Sequence, residues 1–206
     1  MILIVSPHLD DEVLGCSSFL WTDARNVTIL YGTTRHGFFA DAGLVMRENL
    51  DLTQHLGCKA RFLEIGAINR LDNLPIVELI HEFEKVVNEE RPDTVLLTNP
   101  SYNQDHRTIY EAMLTALRPH DQNHFVKRVL LYEQPETFGT LRKVIPFQPT
   151  YYRPLNMEFK IKIVEFYQSQ MRGHRSIEHL TAIARLRGMQ ANMEYAEAFE
   201  IVRWVE

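Results

Sequence analysis

Apolar residues in this chain fall into short uninterrupted runs separated by longer stretches of mixed polarity. Ile2–Ser6, Val27–Thr33, Arg61–Ile65, Thr94–Thr98 and Arg128–Tyr132 read as strands, the first of them unbroken enough to be covered on both faces. The intervening stretches carry helical spacing. A helix is expected from the polar cluster His8–Glu12 through about Trp21, and another from Arg47 to Leu56, where Gly57 supplies the stop. Over Leu74–Glu90, Ile76, Leu79, Ile80, Phe83, Val86 and Val87 form one apolar stripe, and Pro92 ends the helix. Arg107–Leu117 completes the series. Strand–helix alternation of this kind predicts a mostly parallel α/β sheet with helices on both faces. Beyond Pro135 the pattern changes: residues 135–154 hold four prolines, followed by helices at Met157–Met171 and Ile177–Met189 and a last strand at Ala198–Val205. No composition break divides the chain, so a single domain over 1–206 is expected, its C-terminal third an elaboration covering the sheet.

Composition narrows the function. With 206 residues, 45% of them hydrophobic, the chain can bury a core without metal or disulfide staples. A net charge of −5 argues against a nucleic-acid backbone as partner. No apolar run approaches the ~18 residues of a membrane span, and the start shows no basic leader, so a cytoplasmic protein without membrane insertion is expected. Cys16 and Cys58 stand in no redox or metal spacing. The dinucleotide GxGxxG, the phosphate loop GxxxxGK[ST] and the nucleophile elbow GxSxG are all missing. Metal-assisted hydrolysis is the chemistry that remains.

In open α/β sheets ligands bind beyond the carboxyl ends of the strands. Two such ends are densely polar here: the first strand runs into His8-Leu9-Asp10-Asp11-Glu12, and the fourth into Asn99 through Arg107. His8 and Asp11, three apart, lie on one side of a strand-to-helix elbow and suit a zinc ion. His106 is the candidate third ligand, with Asp10 left as a base. The competing reading makes the acids a helix cap and charges complementing the helix dipole. A cap, however, calls for neither the preceding histidine nor the Asp105-His106 pair.

His8-Leu9-Asp10-Asp11-Glu12 resembles the His-Pro-Asp-Asp-Glu signature of the PIG-L/LmbE-like N-acetylglucosaminyl deacetylases, and Asn103-Gln104-Asp105-His106-Arg107 resembles their second motif. Softer matches are Arg47-Glu48, Tyr167–Gln170, Ala184–Gly188 and Tyr195–Glu200, in family order from residue 2 to about residue 203. The resemblance implies a Rossmann-like fold and zinc-dependent hydrolysis of an N-acetyl group on a small-molecule sugar, an N-acetylglucosamine compound or glycoconjugate precursor. It implies His8, Asp11 and His106 as Zn2+ ligands, another divalent metal being compatible, Asp10 as general base, and Arg47 as a substrate-binding residue. Leu9 departs from the family's proline. Asn103 stands where many relatives carry a histidine; an amide donates a hydrogen bond but is no acid. Asn103 is therefore expected to polarise the carbonyl while Asp10 shuttles the proton. His36, in the loop after the second strand, is a further acid or substrate-binding candidate.

Asp105 is a candidate to orient a ligand ring or to cap the helix after it. His174 and Arg175, between the two late helices, are candidates to border the site, and the glutamates of Tyr195–Glu200 to tie the last strand to the body. The loops at 34–43, 66–73 and 135–155 are expected to shape the pocket. Alternative readings are a zinc amidohydrolase for a non-sugar amide, or a non-catalytic sugar- or metabolite-binding module; either is compatible with a homo-oligomer.

Overall fold

The computed structural model describes residues 1–33, 41–63, 70–120, 123–135 and 146–206. Its centre is a seven-stranded sheet of β1 (Ile2–Ser6), β2 (Val27–Tyr31), β3 (Lys59–Phe62), β4 (Thr94–Thr98), β5 (Arg128–Tyr132), β6 (Tyr151–Pro154) and β7 (Ala196–Trp204), in the order β3-β2-β1-β4-β5-β7-β6. The first five run parallel: Ile4 pairs with Ile29 on one side and Leu96 on the other, and Leu96 with Leu130. β7 is antiparallel to β5 and to β6. The expected mostly parallel sheet is therefore present, with an antiparallel extension built by the C-terminal third.

β1 is buried along its whole length because its alternate side chains serve two cores. Ile2 and Ile4 pack with Val13, Phe19, Ile163, Tyr167 and Leu180. Leu3 and Val5 pack on the other face with Leu79, Phe83, Ile109 and Met113. The first layer belongs to α1 (Asp11–Gly15), α2 (Ser17–Asp23), α3 (Ala42–Leu56), α6 (Met157–Val164) and α7 (Ile177–Gln190). The second belongs to α4 (Ile76–Glu90) and α5 (Gln104–Ala116). Gly15 lets α1 lie directly on β5; a Cβ there would stand 2.3 Å from Tyr132 Cδ2 and 2.8 Å from the Glu133 carbonyl oxygen.

Several elements differ from the sequence expectation, each for a physical reason. The helix expected from His8–Glu12 to Trp21 is broken at Cys16, because Glu197 of β7 accepts the Ser17 and Ser18 amides at 3.0 and 2.7 Å and starts a new helix there. The helix expected to reach Met171 ends at Val164 and tightens into 3₁₀ turns over Glu165–Gln170, with Tyr167 out of helical geometry. Tyr167 reaches inward to Glu12 and Asn49 at 2.7 Å each. β6 lies in the proline-bearing stretch that reads as loop. Pro154 is tolerated because the strand is at the sheet edge. α3 and α5 start before Arg47 and Arg107, capped by Asp41 and Asn103.

Two buried ion pairs fasten the elaboration to the sheet. Glu133, after β5, is gripped by two nitrogens of Arg187 on α7. Lys160 of α6 donates to Glu197 at 2.6 Å and to the Leu14 carbonyl at 2.7 Å. Glu197→Ala would strand the Lys160 ammonium and two helix-end amides together. It is expected to destabilise the fold by about 3–5 kcal/mol, measured as the shift in urea midpoint at constant slope.

Candidate active site

The chain runs from β1 outward to β2 and β3, then returns to β4 on the opposite side of β1. That reversal opens a crevice between the carboxyl ends of β1 and β4, where the two polar segments meet. β1 delivers His8, Asp10 and Asp11 through the elbow into α1. β4 delivers Ser101 through His106 into the first turn of α5.

His8, Asp11 and His106 converge there. His8 Nδ1 lies 3.2 Å from Asp11 Oδ2 and 3.2 Å from His106 Nε2, and the third edge, His106 Nε2 to Asp11 Oδ2, is 3.4 Å. The far side of each ring is occupied. His8 Nε2 lies 3.2 Å from Asp105 Oδ2, and His106 Nδ1 lies 3.0 Å from Ser101 Oγ. With a cation bound, protons on those outer nitrogens would leave the lone pairs of both inner nitrogens to coordinate it beside Asp11. Asp105 is itself anchored, its Oδ1 accepting the Leu71 amide at 2.9 Å.

This donor set fits a divalent cation. Ligands at about 2.0–2.2 Å around a tetrahedral ion stand about 3.3–3.6 Å apart, close to the three edges here. Asp11 is almost fully buried and its Oδ1 has no hydrogen-bond partner. The charges respond to one another accordingly. Burial alone would lower the basicity of His8, but the Asp105 and Asp11 carboxylates outweigh it and push the imidazole up to about 10. Burial also opposes the Asp11 carboxylate, and His106 and His8 overcome it and hold that group well below the usual range. Without an ion, a proton on His8 occupies the place a cation would take.

Asp10 faces a different environment. It is buried, its Oδ2 is 2.5 Å from Arg175 Nη1, and its Oδ1 has no partner. Burial raises its carboxyl to about 6 against the opposing pull of Arg175. Glu12, two residues on, points the other way into the core and accepts from Ser6, Tyr31 and Tyr167 at 3.0, 3.0 and 2.7 Å, a brace between β1, β2 and the C-terminal third.

The remaining candidates are more scattered. Asn103 caps α5, its Oδ1 accepting the Asp105 amide at 2.9 Å, which leaves its NH2 group for donation. Asp105 holds His8 instead of capping the helix. Arg47 is exposed, one turn into α3. His36 lies outside the described residues, as does most of the pocket-shaping sequence at 34–40, 66–69 and 136–145. Arg175, read only as bordering the site, is bonded to Asp10. Ser101 was not singled out by the sequence, although its place five residues before His106 in the same loop is the signal that would have found it.

Fold and site together define a doubly wound α/β protein with a His–Asp–His cluster whose spacing fits a cation at its switch point and a buried acid beside it. The family model described as PIG-L: GlcNAc-PI de-N-acetylase matches residues 3–117, more than half of the chain, and the chain belongs to that family. Among solved structures, the conserved protein TT1542 from Thermus thermophilus is similar over 100% of this chain and 95% of its own, with 22% identity and a TM-score of 0.80. The N,N'-diacetylchitobiose deacetylase of Pyrococcus horikoshii is similar over 98% of this chain and 83% of its own, with 22% identity and a TM-score of 0.73. GalB, the 4-carboxy-2-hydroxymuconate hydratase of Pseudomonas putida KT2440, covers 100% and 98% at 20% identity, with a TM-score of 0.73. A comparison with curated proteins finds no match. Deacetylase and hydratase share this architecture, so the fold alone does not select the reaction. No helix among the described residues is long and apolar enough to cross a membrane.

Proposed function

We propose that this protein is a metal-dependent N-deacetylase that hydrolyses the N-acetyl group of an N-acetylglucosamine-containing small molecule in the cytoplasm, releasing acetate and a free amine. The observation that carries the reading is the triangle of His8 Nδ1, Asp11 Oδ2 and His106 Nε2 with Asp10 beside it. Membership of a de-N-acetylase family supports it. His8, Asp11 and His106 would hold the ion, zinc by the chemistry of two imidazoles and one carboxylate. When bound, such an ion activates water near neutral pH and polarises a carbonyl, which is what amide hydrolysis requires.

The chain's own residues do the rest. Asp10 Oδ1 takes a proton as water adds to the acetyl carbonyl, and returns it to the amine nitrogen as the C–N bond breaks. A buried carboxylate with one oxygen held by Arg175 and the other without a partner is suited to both halves of that exchange. Asn103 Nδ2, free of the cap its Oδ1 makes, would donate to the developing oxyanion, and Arg47 on α3 would contact the sugar's substituents. Asp105 and Ser101 keep the two imidazoles turned so that their inner nitrogens face the ion.

The test is acetate release from N-acetylglucosamine, its glycosides and N,N'-diacetylchitobiose, before and after chelation and after zinc is restored. Activity lost to the chelator and recovered with zinc is the expected result. Release from non-sugar acetamides alone would move the substrate off the sugar. No release from any amide by zinc-loaded protein would remove the reading altogether. Asp105→Asn tests the supporting shell: it keeps the shape but replaces an anionic acceptor for His8 Nε2–H with an amide. Zinc affinity is expected to fall about 10–100-fold, measured by competition with a chromogenic chelator.

A further inference from the structure

Arg175 reaches the site from outside the matched family segment, on the short 3₁₀ turn Gly173–Arg175 that precedes α7. Its Nη1 meets Asp10 Oδ2 at 2.5 Å and Gln170 Oε1 at 3.4 Å. Gln170 is buried and donates to Ser169 Oγ at 2.9 Å. Ser169 is in turn fixed to α3, its amide and hydroxyl donating to the two carboxylate oxygens of Glu48 at 3.0 and 2.5 Å. The arginine is thus braced through two layers before it touches Asp10. On the other side of that carboxylate, Oδ1 is buried with no hydrogen-bond partner. One oxygen anchored and one bare leaves a single direction from which a proton can arrive.

We propose that Arg175 is a positioning residue for the reaction: by holding Asp10 Oδ2 it sets the carboxylate rotamer and turns Oδ1 toward the reacting atoms. The proposal rests on the deacetylase reading for the role of Asp10, but not for the geometry. A misplacement of about 1 Å in a reacting group costs about 100-fold in rate, and an aspartate without its anchor has other staggered rotamers within reach. The contact to Asp10 uses one guanidinium nitrogen, so a lysine ammonium is able to substitute for it where a methionine is not.

The experiment compares zinc-loaded wild type with Arg175→Met and Arg175→Lys, by crystal structure and by steady-state kinetics on N,N'-diacetylchitobiose and N-acetylglucosamine. In Arg175→Met, Asp10 is expected to leave its rotamer and kcat to fall about 10–100-fold, with KM and zinc content close to wild type. Arg175→Lys is expected to restore the rotamer and most of kcat. An unmoved Asp10 in Arg175→Met, an unchanged kcat, or a loss confined to KM would each overturn the proposal. If the wild type releases no acetate but Asp10 swings away in Arg175→Met, the orientation by Arg175 stands and the deacetylase reading fails. The reverse pattern, an active wild type with Asp10 unmoved, sinks the positioning role alone. The turn carrying Arg175 buries none of its residues, so neither substitution removes core.

Discussion

Asp10→Asn is expected to lower kcat for acetate release by about 10²–10⁴-fold, the usual worth of a general base, while the protein keeps its metal and its fold. The substitution changes one atom's chemistry and little else. Asparagine's oxygen still accepts from Arg175, so the link to the Gly173–Arg175 turn survives. The backbone amide that donates to Glu12 is untouched. What disappears is a proton acceptor at the buried Oδ1 position, which now carries an amide NH2. Metal analysis beside the kinetics separates the outcomes. Lost turnover with retained zinc assigns the base, whereas retained turnover would give the site a different proton acceptor.

Much of this arrangement was legible in the sequence because it is local or topological. β1 and β4 show as apolar runs, and their polar sequels needed only the carboxyl-end rule to be brought together. His8 and Asp11 share an elbow through their spacing, and His106 follows from the parallel order of the strands. The parts that were not legible depend on long-range contacts between residues of ordinary local character. The break at Cys16 is set by Glu197, about 180 residues away, and nothing between Glu12 and Trp21 announces it. Asp105 sits where a cap is expected; only the packed structure shows that Asn103 caps while Asp105 turns to His8. Arg175 stands two residues after Gly173 in a turn between helices, a setting that marks it as bordering the site but does not name Asp10 as its partner. Its partner is decided by how the C-terminal third folds back over the sheet.

Asp11→Ala is expected to abolish metal binding and, with it, activity, down to the background of uncatalysed hydrolysis. Wild type purified without added metal is expected to carry about one zinc per chain, and the variant none. Asp11 is the one carboxylate of the three proposed ligands, and its Oδ2 lies against both imidazoles. Removing it leaves two imidazole nitrogens facing each other at 3.2 Å with no carboxylate between them to hold a cation against its hydration. The same loss should appear in stability. An ion that binds only the folded chain stabilises it by about 2.7 kcal/mol when present at one hundred times its dissociation constant, so zinc should raise the melting temperature of wild type and chelator should lower it. Asp11→Ala should melt at one temperature under both conditions. A zinc-dependent shift surviving in Asp11→Ala would place the ion on other ligands. The absence of any shift in wild type would take away the metal, leaving the sugar- or metabolite-binding module as the reading that accounts for the cleft.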